Sequence, residues 1–213
     1  MDSNPGLSTP QLDDVNEIFN AGNHLLTLIN EVLELAKIES GQVTISVEHV
    51  EVADAFRASV QLVKPLAQKR GIEIIYAYRD ETMSLDQFEL YHHHIQADFM
   101  RLKQVLINLL SNAIKYNRLN GEVNILVKPL SKGRIKVGVS DMGKGISKSD
   151  IPKLFEAFNR LGAEKSEIEG TGIGLPITKK IIELMDGILE VESIEGEGSV
   201  FWVELNGKQQ IAA

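Results

Sequence analysis

The chain has 213 residues, with 22 Lys and Arg against 30 Asp and Glu, a formal net charge of −8 and a sequence pI near 5.2. That balance disfavours a protein whose main task is neutralising nucleic-acid phosphates, and a cysteine count of zero excludes disulfides, thiolate metal sites and thiol catalysis. At 43% hydrophobic and 24% charged residues the composition is globular, and no run approaches the roughly 18 apolar residues of a membrane span.

Residues 1–10 hold Pro5, Gly6 and Pro10 among polar side chains and read as a flexible lead. They lack the basic and apolar regions of a signal peptide, so a soluble cytoplasmic protein is expected. From Leu12 to Glu39 the apolar residues Val15, Ile18, Leu25, Ile29 and Val32 recur at steps near 3.5, with small Gly22 and Ala36 in register and Phe19, Leu26 and Leu33 widening the stripe. This predicts a long amphipathic helix that packs against other helices and ends at Ser40-Gly41. No second long helix of that kind follows. Its cover is therefore expected from another chain or from a segment outside this one, which points to a homodimer formed through residues 11–41.

Val43, Ile45 and Val47 alternate as in a strand, and a helix is expected from Ala53 to Arg70, interrupted by Pro65 and stopped by Gly71. Ile72 to Tyr78 reads as a strand, and most of Arg79 to His94 as an inserted loop. A helix then runs from Phe99 to Tyr116 with Asp98 as its N-cap. Strands follow at Glu122–Lys128 and Arg134–Ser140, a short helix at Lys148–Phe155, a helix ending at Met185, and strands at Ile188–Ser193 and Ser199–Leu205. Helices interleaved with paired antiparallel strands predict a two-layer α/β sandwich.

Three segments carry chemistry. Asp141, just after a strand, precedes Gly143 and Gly145, so a carboxylate that can accept from an adenine amine sits on a loop open to a flat ring; the same run also fits an ordinary β-turn. Gly170, Gly172 and Gly174 precede a helix whose free N–H groups suit phosphate, although a hinge before a helix start reads the same way and neither a P-loop nor a Rossmann fingerprint fits. Asn108, Asn112 and Lys115 share one helix face, opposite Leu102, Val105, Leu106, Leu109 and Leu110. Asparagine oxygens suit Mg²⁺ and Lys115 suits phosphate, yet a solvated stripe is the plainer reading of that face alone.

Taken in order, the segments resemble the histidine protein kinases. Gln104-Val105-Leu106-Ile107-Asn108-Leu109-Leu110-Ser111-Asn112-Ala113-Ile114-Lys115-Tyr116 resembles their N-box, and Asp141-Met142-Gly143-Lys144-Gly145-Ile146 their first glycine box. Leu154-Phe155-Glu156-Ala157-Phe158 resembles the F-box, and Gly170-Thr171-Gly172-Ile173-Gly174-Leu175 the second glycine box. The match covers about residues 43–206.

The resemblance implies the α+β sandwich shared with gyrase, chaperone and mismatch-repair ATPases, and a site for ATP and Mg²⁺. It implies that Asn112 ligates the metal with Asn108 beside it, that Lys115 meets phosphate and that Tyr116 lines the pocket. Asp141 would bind the adenine amine, with Gly143, Gly145 and Ile146 shaping the pocket and Ser199 beside Asp141 as a hydroxyl partner. Gly170, Gly172 and Gly174 would hold phosphate, with Thr171, Ile173, Leu175 and Phe158 also binding the nucleotide; residues 159–170 would form the ATP lid, and Arg160 would either approach phosphate or stay solvated on it. The ATPase relatives place a glutamate where this chain has Asn108. Asparagine is a poor base, so ATP should be held without rapid hydrolysis and passed to a histidine.

The family's accepting H-box is absent. His24, followed by Leu25-Leu26-Thr27, sits in a helix that resembles the second helix of the dimerisation and phosphotransfer hairpin and reads as a packing residue. The implied organisation is a lead at 1–10, that partial helix at 11–41, an ATP-binding catalytic domain at 42–207 and a disordered tail at 208–213. The implied partners are a phosphoacceptor-histidine segment outside this chain and a response-regulator receiver domain, with no nucleic acid. A stand-alone ATPase and a non-catalytic nucleotide-sensing or dimerisation module are the alternatives. His92-His93-His94 reads as a solvated edge rather than a metal site, Trp202 as a core side chain, and Pro176 as a tolerated first-turn residue.

Overall fold

The computed structural model describes residues 8–78, 81–89, 91–161 and 170–207. Residues 1–7 of the expected lead, 162–169 of the expected lid and the expected tail at 208–213 lie outside them. Helix α1 spans Thr9–Glu39, so the helix begins before Leu12 and takes in Pro10. Proline is tolerated in a first turn because its missing N–H has no intrahelical acceptor there. The Ser8 N–H donates to Gln11 Oε1 at 2.9 Å, closing that end.

The expected strand at 43–47 does not form. Residues 42–47 are irregular, and pairing begins one step later in β1 (Glu48–Glu51), antiparallel to β4 (His94–Ala97). Val43 and Ile45 still pack against the core, so the alternation marks burial rather than a ladder. Helix α2 (Val52–Arg70) runs unbroken through Pro65, which lies on its exposed side, and ends at Gly71 in the left-handed region, φ 66°. After β2 (Glu73–Tyr78) the expected loop contains a short strand β3 (Glu81–Met83), a helix α3 (Leu85–Glu89) and then β4. Phe88 anchors α3 by packing edge-on against Phe56, with ring centroids 6.4 Å apart.

Helix α4 (Phe99–Lys115) starts at Asp98, whose Oδ1 accepts from the Arg101 N–H at 3.1 Å and whose Oδ2 accepts from the Ser46 N–H at 3.0 Å. Burial pushes the Asp98 carboxyl up, but the N–H groups of Ser46, Arg101 and Met100 outweigh it and hold the group below the ordinary carboxylate range. Strands β5 (Glu122–Pro129) and β6 (Arg134–Asp141), helix α5 (Gly174–Leu184), and strands β7 (Ile188–Ile194) and β8 (Gly198–Asn206) complete the fold. The helix expected at Lys148–Phe155 is a 3-10 turn at Ile151–Phe155.

The main sheet has six strands in the order β3-β2-β5-β6-β8-β7. It is mixed, because β2 and β5 pair in parallel while the other neighbours are antiparallel. Helices α2, α4 and α5 cover one face, and Leu102, Leu106, Leu109 and Leu110 of α4 meet Ile125, Val139 and Val203 in a single core. Trp202 is buried but stands outside that core. It alternates with Phe201 and Val203 and so occupies the opposite face of the sheet, with the amines of Lys128 and Lys136 5.2 and 5.1 Å from its ring.

Helix α1 buries only one flank. Leu28, Leu35 and Ile38 join the core, whereas Val15, Ile18, Leu25, Ile29 and Val32 are exposed, with Phe19, Leu26 and Leu33 beside them.

The Trp202 ring lies on Gly138, where an added Cβ would fall 2.5 Å from ring carbons. Gly138→Ala should overpack this face and cost about 1–3 kcal/mol in urea unfolding, with a shift in emission of the chain's single tryptophan. A stability within 0.5 kcal/mol of wild type, as is usual for surface changes, would show that the ring moves freely aside.

Candidate functional site

The amphipathic pattern of α4 decides where its polar residues go. With Leu102, Leu106, Leu109 and Leu110 turned into the core, Asn108, Asn112 and Lys115 face the other way and line a cavity of about 910 Å³. Tyr116, at the end of the helix, lines it too. The floor comes from Asp141 at the end of β6, Gly145 and Ile146 after it, and Ser199 and Phe201 on β8. Gly170, Thr171, Gly172, Gly174 and Leu175 form the opposite wall around the start of α5, with Arg160 nearby. Fourteen of the residues singled out from the sequence thus meet in one cavity.

Three do not line it. Gly143 lies behind Asp141 and acts through it: its N–H donates to Asp141 Oδ1 at 2.8 Å. A Cβ at Gly143 would fall 2.2 Å from the Tyr116 carbonyl oxygen, so the close approach of this loop to the end of α4 requires glycine. Ile173 is fully buried, because it begins α5 with its side chain turned into the core. Phe158 is 60% exposed at φ 66° and turns outward, while its N–H donates to the Gly172 carbonyl at 3.1 Å and ties the F-box to the glycine loop.

Ser199 stands opposite Asp141 in the β6–β8 register, but its hydroxyl is not the partner expected for that carboxylate. Its Oγ is 2.9 Å from Ser193 Oγ, and it is the Ser199 backbone N–H that bonds the Asp141 carboxylate. Ser193 is the organiser that sequence reasoning missed. Its hydroxyl donates to the Gly198 carbonyl and accepts from the Ile146 N–H, both at 2.8 Å, joining the first glycine loop to the β7–β8 turn. Thr178 was missed as well; its buried hydroxyl accepts from Asn108 Nδ2 at 2.8 Å.

Helix α1 closes the cavity from the side. Asn20, Asn23, His24, Thr27, Glu31 and Glu34 face into it. The Thr171 hydroxyl donates to the Glu31 carboxylate, while Glu34 accepts from Arg101 at 2.5 Å and from Gln104 at 2.7 Å. The signal was present as polar residues recurring at steps of three and four on the side of α1 away from its apolar seam. What it faced depends on how the helix packs. His92 pairs with Glu51 at 2.9 Å, and among the described residues no group of three or more His, Asp or Glu side chains is placed to hold a metal.

Chemically, the cavity offers a buried carboxylate at one end, amide oxygens and a lysine along one wall, and the N-terminus of the 11-residue α5 at the other end. That set suits a ligand with an amine-bearing ring and an anionic tail.

The family model described as histidine kinase-, DNA gyrase B-, and HSP90-like ATPase matches residues 97–209. The sensor histidine kinase GacS of Pseudomonas protegens is 34% identical over 208 residues, covering 94% of this chain and 21% of that protein. The chain spans about a fifth of the length of such curated relatives. Among solved structures, full-length ShkA in complex with AMPPNP aligns over 96% of this chain and 40% of its own at a TM-score of 0.75 and 29% identity. The histidine kinase ThkA in complex with the response regulator TrrA aligns over 96% of this chain and 52% of its own at 0.67 and 25%.

Burial raises the Asp141 carboxyl above its ordinary value, and the N–H groups of Gly143 and Ser199 offset this only in part. A carboxyl with a raised folded-state pKa holds its proton more tightly folded than unfolded, so its ionisation lowers stability as pH climbs from the ordinary carboxylate range through the folded pKa. Asp141→Asn, which keeps an oxygen to accept from Gly143, should unfold at higher urea than wild type at pH 7. The gap should close as pH falls below that range. Equal midpoints at pH 7 would mean the carboxylate is fully compensated where it sits.

Proposed function

The chain belongs to the histidine kinase-, DNA gyrase B- and HSP90-like ATPase family, as an ATP-binding catalytic region of the histidine-kinase type, and on that premise we propose that it carries the γ-phosphoryl group of Mg-ATP to a histidine outside this chain. The observation that carries this reading is the single cavity lined together by Asn112, Asp141 and Gly172, three residues from separate parts of the chain.

In this reading Asp141 accepts from the exocyclic amine of adenine and would repel the carbonyl that guanine carries at that edge. Lys115, Arg160 and the N–H groups at the start of α5 offer positive charge to the phosphates, with Thr171 beside them. The donor set fits magnesium: Asn112 and Asn108 supply amide oxygens, and such a metal keeps waters and phosphate oxygens in its shell rather than needing a cage of carboxylates. When bound it would offset the negative charge that develops on the phosphates. The transfer breaks the bond from the γ-phosphorus to the β,γ-bridging oxygen, whose electron pair leaves with ADP, and forms one from the phosphorus to the unprotonated nitrogen of an imidazole; the proton on the ring's other nitrogen passes to solvent.

Asn108 stands where a water-activating glutamate would be needed for hydrolysis, so the phosphoryl group is kept for the histidine. We assign residues 11–41 to a partial dimerisation and phosphotransfer helix and residues 42–207 to the catalytic domain. The exposed seam of α1 supports the homodimer. Relay to a response-regulator receiver domain is part of the proposal, supported by the ThkA–TrrA complex among its structural relatives. No helix among the described residues is long and apolar enough to cross a membrane, and the proposed place of action is the cytoplasm.

Titration with a fluorescent ATP analogue should saturate, and Asp141→Asn should weaken it about ten- to a hundredfold, the worth of one charge-assisted hydrogen bond. An unchanged dissociation constant would remove Asp141 from adenine recognition. Asn112→Ala should abolish phosphoryl transfer to an added hairpin domain carrying an H-box while its melting curve stays close to wild type. Wild-type phosphate release without an acceptor should stay slow, and sustained rapid turnover would favour a stand-alone ATPase.

Glu31 adds a negative charge to the cavity wall, and Glu31→Gln keeps an acceptor for Thr171 without that charge. A like charge near phosphate is worth about 1 kcal/mol in water-like surroundings, so the variant should bind the analogue about fivefold more tightly. Equal affinities would indicate that α1 swings clear when the nucleotide enters.

A further inference from the structure

Thr178 lies one helical turn beyond Gly174 on α5 and is 2% exposed. A buried hydroxyl in a helix is costly unless it is used. Its oxygen accepts the Asn108 side-chain N–H at 2.8 Å, across the α4–α5 contact. The amide lies against Gly174, where an added Cβ would fall 2.5 Å from Asn108 Oδ1 and 3.1 Å from its Cγ and Nδ2. The Asn108 amide therefore meets two residues of α5, and Asn108 and Thr178 both line the cavity.

An asparagine side chain can face a ligand with either of two opposite characters. Its nitrogen donates and would serve an anion; its oxygen accepts and would serve a cation or a water held by one. In the structure the nitrogen donates to Thr178, so in this orientation the group left for a ligand is the oxygen. Were the amide turned over, an NH₂ group would meet the metal and repel it.

We propose that Thr178 is a positioning residue that holds the Asn108 amide with its oxygen available to the magnesium of the bound nucleotide, and so sets how strongly nucleotide binding depends on Mg²⁺. The proposal rests on the Mg-nucleotide reading above and extends it to a residue outside the glycine-box motif. Valine has nearly the shape of threonine without the acceptor, while serine keeps the hydroxyl, so the two substitutions separate orientation from packing.

The test uses the full chain. Wild type, Thr178→Val and Thr178→Ser are titrated with the fluorescent ATP analogue without Mg²⁺, and then at fixed analogue with increasing Mg²⁺. Groups that orient metal ligands typically change metal affinity about ten- to a hundredfold. Thr178→Val should keep the metal-free nucleotide affinity within about twofold and need at least about tenfold more Mg²⁺ for half-maximal enhancement. Thr178→Ser should restore the wild-type value. In an Asn108→Ala background Thr178→Val should have no further effect, since the partner is gone.

A wild-type Mg²⁺ midpoint in Thr178→Val would overturn the proposal, as would equal weakening with and without Mg²⁺ or an undiminished effect in the Asn108→Ala background. Should the valine variant not fold, Thr178→Ala provides the same comparison. Saturable wild-type binding with an unchanged valine variant sinks this proposal alone, whereas no saturable binding by wild type sinks the nucleotide reading and this proposal with it.

Discussion

A helix that buries Leu102, Leu106, Leu109 and Leu110 has no freedom in where Asn108, Asn112 and Lys115 point. Rotating α4 to move its polar row would expose leucines that together are worth several kcal/mol of burial, at about 1.5–3 kcal/mol each. The core therefore fixes the site. β6 and β8 pack beneath the same helix, so Asp141 at the end of β6 is held at one end of the polar row, and α5, packed alongside, delivers the glycine loop to the other.

The site also carries costs that its surroundings manage locally. Asp141 is buried, and its charge is sustained by two N–H donors that do not fully offset its desolvation. The Gly143 loop can supply one of those donors only because no side chain separates it from the end of α4. Asn108 is clamped between Gly174 and Thr178 in a similar way. Each device holds one polar group in a fixed orientation with neighbours that do not themselves face the ligand as reacting groups.

Helix α1 joins two different surfaces. Its apolar seam is exposed along Val15, Ile18, Leu25, Ile29 and Val32, while its polar side meets the cavity through Thr27, Glu31 and Glu34. Glu34 is matched by Arg101, but Glu31 meets the neutral hydroxyl of Thr171 at the α5 end of the cavity. Any change in how the seam is covered would act on the helix that carries Glu31, because the exposed seam and one wall of the cavity belong to the same helix.

Much of the fold was legible in the sequence because it rests on short-range regularities. The 3.6-residue pattern marked α4, Asp98 marked its start, Gly71 marked the end of α2, and the glycine spacings marked both loops. The errors fell where local pattern does not decide. Val43, Ile45 and Val47 alternate like a strand, yet the ladder forms at Glu48–Glu51, because β4 offers its partners there. Trp202 is buried as expected, but on the far side of the sheet beneath two lysines rather than in the helix-facing core. The parallel pairing of β2 with β5 comes from the crossover through α4, which no single segment encodes.

The site divides along the same line. By itself the sequence determined which residue types exist for nucleotide chemistry, since carboxylate, amide and glycine at those positions are properties of the chain. Only the tertiary structure decided what those groups touch: Ser199 meets Asp141 through its backbone rather than its hydroxyl, Phe158 and Ile173 turn away, and Thr178 and Glu31 join from positions outside the motifs. The last two depend on contacts between residues 70 and 140 positions apart. Such contacts are set by how the layers pack, not by any local spacing.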